Sequence, residues 1–98
     1  MGFHFKVYQQ EKDVLIAACD EEVYGQAFEE GKFLLDVKRD FYGEESAEWE
    51  YLHSLLADAS ILNLVGVELI SKAIEAGFID AESVLKVKGV PHAQMVRI

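Results

Sequence analysis

The spacing of apolar residues changes twice along the chain, and this change constrains the fold more than any other feature. Near the N-terminus Phe3, Phe5 and Val7 alternate with polar residues, which is the period-two pattern of a half-buried strand. Between residues 49 and 59 apolar side chains recur every three or four residues, the period of an amphipathic helix. Strand patterns return after residue 82. The chain is therefore predicted to carry strands at both ends and helices between them.

Individual segments support an α+β fold in the order β-β-β-α-α-β-β. Strands clustered around a helix pair predict a small, mostly antiparallel or mixed sheet on which the helices pack, not a βαβ repeat. With 98 residues and no Pro-, Ser- or Gly-rich linker, the whole of residues 1–98 is expected to form one domain. The segment Ile61–Val65, interrupted by Asn63, has no clear period. The predicted strands are residues 3–8, 14–19, 32–37, 83–88 and 92–98, and the helices begin near residues 44 and 68.

Charge is distributed unevenly. The net charge is −9; residues 1–80 hold 17 acidic against six basic residues, a balance of −11, whereas residues 81–98 hold one acidic against three basic residues, a balance of +2. A field this negative repels phosphate backbones, so non-specific DNA binding is not expected. The longest apolar run is Val14–Cys19, far short of the roughly 20 residues that span a membrane. One cysteine and no secretory pattern favour a soluble, cytoplasmic protein.

Motifs that signal common chemistries are missing from the sequence. Cys19 stands alone and His4, His53 and His92 are widely spaced, which is not the grouping of ligands that a structural zinc site requires. The chain has no dinucleotide-binding, phosphate-loop, nucleophile-elbow or EF-hand pattern. No catalytic residue, metal or cofactor is therefore predicted. Cys19 lies beside Asp20, whose charge raises the thiol pKa and favours a buried, inert cysteine.

The C-terminal strand pair is the best candidate for a binding surface. Its basic and hydrogen-bonding residues stand out in an acidic chain, and only residues 89–91 separate the two predicted strands. We expect this pair to bind a protein or a structured RNA at short range, where salt screens the remaining charge. Exposed lysines on a strand have a plainer use, because they deter edge-to-edge aggregation. The candidate residues are Lys86, Lys88, His92, Gln94 and Arg97.

An alternative interpretation is a small enzyme or ligand-binding protein. Asp20, Asn63 and His92 lie at predicted ends of elements, where site residues often occur, and they would then line one polar pocket. Asn63 sits in an apolar run, so its amide must find hydrogen-bond partners or destabilise the fold. A simpler explanation is that the side chains of Asn63 and His92 hydrogen-bond to backbone groups of nearby turns. Binding without catalysis is the preferred hypothesis.

Several short strings together resemble one uncharacterised archaeal family of stand-alone proteins of roughly 100 residues. The strings are Cys19-Asp20-Glu21-Glu22, Asn63-Leu64-Val65-Gly66, Ala73-Ile74-Glu75-Ala76-Gly77 and Gly89-Val90-Pro91-His92-Ala93-Gln94, and the resemblance covers essentially the whole chain. The resemblance implies an archaeal, cytoplasmic, single-domain protein. It transfers no catalytic residue, because the family carries no established activity.

Overall fold

A computed structural model describes residues 2–97, which form a six-stranded sheet, a two-stranded hairpin and three helices. Two single 3₁₀ turns, Glu21–Val23 and Ala81–Ser83, join elements. The strands are β1 (Phe3–Gln10), β2 (Asp13–Asp20), β3 (Ala27–Glu30), β4 (Phe33–Asp36), β5 (Glu45–Ala47), β6 (Ile61–Val65), β7 (Leu85–Val87) and β8 (Val90–Val96), and the helices are α1 (Arg39–Tyr42), α2 (Trp49–Asp58) and α3 (Val67–Glu75).

The larger sheet has the strand order β5-β1-β2-β6-β8-β7. β2 and β6 are parallel, and the other neighbouring pairs are antiparallel. A parallel pair needs a long crossover between its strands, and here the crossover carries the β3–β4 hairpin, α1, β5 and α2. β5 and β7 are the edge strands, and each has three residues. The longer strands β1 and β8 therefore extend beyond their outer neighbours.

One side of the sheet, which we call the helix face, packs against α2 and α3. Its core is aliphatic and aromatic, and several side chains have no exposed surface at all. The α3 sequence places Leu69, Ile70 and Ala73 on its buried side, the three- and four-residue spacing of an amphipathic helix. The principal side chains of this core are Phe3, Ile16, Leu52, Leu56, Leu62, Leu64 and Leu69.

The other side, which we call the hairpin face, is covered by the β3–β4 hairpin and by α1. Its core is smaller and more polar than that of the helix face: it contains Cys19 and Tyr42 beside Leu35, Val37 and Val65. Two backbone hydrogen bonds close the base of this hairpin: Gly25 N–H donates to the Val37 carbonyl, and Val37 N–H donates to the Gln26 carbonyl (both 2.8 Å). Because successive side chains of a strand point to opposite sides, the central strands are buried on both faces.

The predicted α+β class and mixed sheet are confirmed, and the order contains additional elements. The largest omission is β6 (Ile61–Val65), which lies in the middle of the sheet between β2 and β8. The hairpin strand β3, the short strand β5 and the single-turn helix α1 were also not predicted. Helix α2 begins at Trp49 and not near residue 44, because residues 45–47 pair with β1. The last predicted strand begins at Val90, and its final residue, Ile98, lies outside the described residues.

Candidate functional site

The C-terminal strand pair is a tight hairpin of β7 and β8. Val87 pairs with Val90, so the loop is the two residues Lys88 and Gly89, whose φ angles are 54° and 79°. Two successive positive φ angles define the type I′ turn that suits the twist of a hairpin. Lys88 is therefore a turn residue and not the strand residue that was predicted, and its backbone N–H donates to Glu30 Oε1 (2.8 Å). The β3–β4 hairpin thus contacts the β7–β8 turn.

The five candidate binding residues do not form one strip. Lys86 pairs with Pro91 on the helix face, whereas His92 and Gln94 lie two residues apart on the hairpin face. Arg97 follows β8, and its guanidinium donates to the carbonyl oxygens of Ala57 (2.8 Å) and Ala59 (3.2 Å). Arg97 therefore satisfies carbonyl groups at the C-terminal end of α2, where a positive charge is favoured by the helix dipole.

β8 leaves part of its outer edge unpaired within the described residues. β7 pairs with β8 only from Val90 to His92. On the inner side, Gly66 N–H donates to the Pro91 carbonyl and Arg97 N–H donates to the Ser60 carbonyl (2.9 and 2.8 Å). Backbone groups of an antiparallel strand alternate in direction, so those of Ala93 and Met95 also point inward to β6. The N–H and C=O groups of Gln94 and Val96 point outward, beyond the end of β7.

Asn63 and His92 are brought together, and Tyr42 joins them. The Tyr42 hydroxyl donates to Asn63 Oδ1 (2.7 Å), and His92 Nε2 lies 3.1 Å from the same oxygen. A carboxamide oxygen accepts only, so His92 carries its proton on Nε2 in this contact. We call this group the Tyr–Asn–His cluster. It links α1, β6 and β8 across the hairpin face and meets the requirement that the Asn63 amide be hydrogen-bonded.

Burial sets the protonation states in and around the cluster. Loss of solvent lowers the pKa of His92, because a protonated imidazole is poorly solvated there, so His92 is neutral near pH 7. Burial likewise raises the pKa of the Tyr42 hydroxyl. Burial, with a smaller contribution from the charge of Asp20, raises the pKa of the Cys19 thiol to about 12. A thiol of this pKa is protonated at neutral pH and is a poor nucleophile.

Asp20 lies on the other side of the sheet from the Tyr–Asn–His cluster. Its carboxylate oxygens accept the backbone N–H groups of Glu68 and Leu69 in the first turn of α3, each at 2.9 Å. Gly66, which precedes α3, has φ of 123°, and a Cβ at this position would lie 2.3 Å from the Asp20 carboxyl carbon. Asp20 therefore caps a helix from a neighbouring strand. Of the three residues predicted to line one polar pocket, Asn63 and His92 lie together, whereas Asp20 lies apart from them at the start of α3.

Four surface cavities formed by residues 2–97 do not join Asp20 to Asn63 and His92. These cavities are lined by residues other than Asn63 and His92, and Asp20 lines two of them together with Glu22 and Glu68. Among residues 2–97, no group of three or more His, Cys, Asp or Glu side chains is arranged to hold a metal ion. Within the same range, none of the helices has the length and apolar character needed to cross a bilayer.

Sequence reasoning missed two features of the site. Tyr42 was not singled out, because it lies in a polar loop pattern and its partner Asn63 is 21 residues away. The free edge of β8 depends on the length of β7, and the strand pattern of residues 83–88 gave no sign that β7 has only three residues. The I′ turn did leave a signal, since Lys88-Gly89 lies between apolar residues of two strand patterns.

Comparison with known proteins agrees with this fold. A family model described as a protein of unknown function (DUF424) matches residues 8–98. The crystal structure of an uncharacterized conserved protein from Methanopyrus kandleri is similar, with a TM-score of 0.78 over 100% of this chain and 95% of that chain, at 20% sequence identity. No curated protein matches. The resemblance to an uncharacterised archaeal family is thereby confirmed.

Proposed function

Because the chain belongs to the DUF424 family, whose function is unknown, we propose its function from its own geometry: it is a non-catalytic module that binds a protein partner along the outer edge of β8. The observation that carries this proposal is that, among residues 2–97, no strand pairs with the outer backbone of Gln94 and Val96. An extended segment of a partner would add there as a further strand, the binding mode known as β-augmentation.

Within residues 2–97, the free stretch of β8 lacks the usual protection of an exposed strand edge. Folded proteins guard exposed strand edges with lysines, prolines, bulges or a covering element. Here Lys86 and Lys88 lie on β7 and its turn, away from the free stretch, and the Arg97 guanidinium is bonded to α2 carbonyls. Val96 is 64% exposed and Gln94 is exposed. An unguarded strand edge favours aggregation, and its presence here supports a role of this edge in binding a partner.

Protein is favoured over RNA as the partner. Structured RNA is held by basic side chains that contact phosphates together. Here Lys86 lies on the helix face of β7, Lys88 lies in the β7–β8 turn, and the Arg97 guanidinium is bonded to α2. Main-chain hydrogen bonding to an extended segment needs no aligned charges. On the hairpin face the added strand would meet Val96 and Leu85, which are 64% and 45% exposed, so an aliphatic side chain of the partner would be buried there.

The chain offers a matched pair of variants to test the proposal. Gln94→Pro removes one outward N–H on the free edge of β8. Gln9→Pro does the same on the opposite edge of the sheet, because β5 pairs with β1 only as far as Phe5 and the alternation along β1 directs the Gln9 N–H outward. Proline is tolerated at such edge positions. Both variants should fold, and their melting temperatures should be similar.

Partners are then captured on immobilised protein from cells that make it, with and without nuclease, and mapped by cross-linking. We expect a protein partner whose cross-links lie beside Gln94 and Val96. Its recovery should fall about tenfold or more with Gln94→Pro, the loss of roughly 1.4 kcal/mol or more, and should be unchanged with Gln9→Pro. Equal recovery by both variants would overturn the proposal. So would loss on nuclease treatment, which would identify RNA.

A further inference from the structure

Helix α3 separates two surface grooves of opposite charge character. The groove on one side, of about 550 Å³, is lined by four acidic residues, Asp20, Glu22, Glu68 and Glu75, and by Lys72. The groove on the other side, of about 350 Å³, lies between α3 and the β7–β8 hairpin and has no acidic residue in its lining. We call the second one the α3–hairpin groove. The two grooves share Val67 and Ser71.

The α3–hairpin groove is aliphatic with one positive group. α3 contributes Val67, Ile70 and Ile74, and the hairpin region contributes Val84 and Pro91. Val67 is 66% exposed, so a large apolar side chain faces water there. Lys86 is the basic residue of the lining, and within residues 2–97 its ammonium group has no hydrogen bond or ion pair. A groove free of acids is unusual on a chain with a net charge of −9.

We propose that the α3–hairpin groove binds an aliphatic side chain and an adjacent carboxylate, presented together by an exposed segment of a protein partner. This inference rests on the proposed function, because it names a second point at which the same protein partner is held. Burying the aliphatic group on Ile70, Ile74 and Val84 supplies affinity. The carboxylate meets the free ammonium of Lys86, which is part of the groove lining.

Charge directs such a segment to this groove and away from its neighbour. Most of the surface repels an acidic segment, and the groove with Asp20, Glu22, Glu68 and Glu75 does so most strongly. Screening confines these effects to about 8 Å at physiological salt, so the local lining decides which groove is occupied. Discrimination between an acidic and a neutral segment therefore depends on Lys86.

The test uses two capped tripeptides and amide chemical shifts of the intact chain. The probes are acetyl-Ile-Glu-Leu-amide and acetyl-Ile-Gln-Leu-amide, which differ only in charge. We expect shift changes at Ile70, Ile74, Val84 and Lys86, and about two- to fivefold tighter binding of the glutamate peptide, the worth of an exposed ion pair. Lys86→Met should abolish that preference. The matched control is Lys72→Met, a similar change in the other groove, which should retain it.

Equal binding of the two peptides by the unmodified chain, or shift changes in the acidic groove, would overturn the inference. A preference that survives Lys86→Met would overturn it as well. The β8 edge variant keeps the two ideas separate, because Gln94→Pro leaves the groove lining unchanged. If Gln94→Pro still prefers the glutamate peptide but no longer captures the partner, both proposals are supported. If Gln94→Pro no longer captures the partner and the unmodified chain shows no peptide preference, only the strand-addition proposal is supported.

Discussion

The two faces of the sheet are built differently. The helix face is filled by aliphatic and aromatic side chains such as Leu52, Leu56 and Leu62, which have no exposed surface, and two helices cover it. The hairpin face has a thinner cover and holds the Tyr–Asn–His cluster among its apolar residues. An apolar core gains stability from burial with little directional requirement, whereas a buried polar group must be matched by a specific partner.

The two faces therefore contribute differently to the stability and to the geometry of the fold. The helix face supplies most of the buried apolar area and so most of the stability. The hairpin face fixes relative positions, because the hydrogen bonds to Asn63 join α1 and β8 to the central strand β6. Strand β8 contributes to both faces and also carries the free edge at Gln94 and Val96. A rigid β8 is what a strand-addition site requires.

The largest expected effect is on the free energy of unfolding, when one buried leucine from each face is replaced by alanine. Leu52→Ala should destabilise the chain by about 4–5 kcal/mol, the upper part of the range for buried leucine, because two packed layers prevent collapse of the cavity. Leu35→Ala, in the hairpin cover, should cost about 2–3 kcal/mol, because the hairpin can move into the space. Urea unfolding at equilibrium measures both. Equal costs would show that the two covers are equally rigid.

The next effect concerns the Tyr–Asn–His cluster. Asn63→Ala should cost about 1–3 kcal/mol, because the buried Tyr42 hydroxyl loses its acceptor. In a Tyr42→Phe background the same substitution should cost less, since no hydroxyl is then stranded. A double-mutant cycle from urea unfolding gives the coupling. Additive costs would mean that the hydrogen bond does not stabilise the fold.

The smallest effect is a pH dependence on the hairpin face. The folded-state pKa of His92 is lowered by burial, so the folded chain binds a proton less readily than the unfolded chain. Its contribution to stability is complete above the unfolded pKa of about 6.5 and is lost as the pH falls through the lowered value. Melting temperature should therefore fall more between pH 7 and pH 5 than in His92→Gln, which keeps an N–H donor.

The same comparison controls for Asp20 on the helix face. Burial raises the pKa of Asp20 against the opposing effect of its two backbone hydrogen bonds, so acidification through that pKa favours the folded state, the reverse of His92. Asp20 is present in both chains, and its contribution cancels in the difference. Identical pH profiles for the two chains would contradict the assignment of a lowered pKa to His92.

The sequence correctly predicted the strands and the helix that have a clear local pattern of apolar residues. β1 and β2 followed from alternation and a continuous apolar run, and α3 followed from its three- and four-residue spacing. β6 was missed because a five-residue strand buried on both faces has no period to detect. Trp49, the first residue of the helical apolar pattern, begins α2 and packs against the helix-face core, with its ring edge-on to Phe3 (6.3 Å between ring centres).

The candidate site depended on tertiary structure to a greater degree. The polarity of the C-terminal residues was evident from the sequence. The direction of Lys86, however, follows from its pairing with Pro91, and the engagement of Arg97 follows from the position of α2. Pro91 lies just across the two-residue turn from Lys86, but Arg97 and its acceptor Ala57 are 40 residues apart and share no recognisable motif, so that contact could not be read from the chain alone.

Native-state hydrogen exchange of the four consecutive amides from Ala93 to Val96 tests the central claim most directly, because the claim is that β8 is paired on one side only along this stretch. The inward amides of Ala93 and Met95 should be protected by β6, and the outward amides of Gln94 and Val96 should exchange close to the rate of an unstructured peptide. The bound partner should slow the outward pair selectively. Equal protection of all four amides in the isolated chain would contradict the account, because it would mean that the edge is already covered.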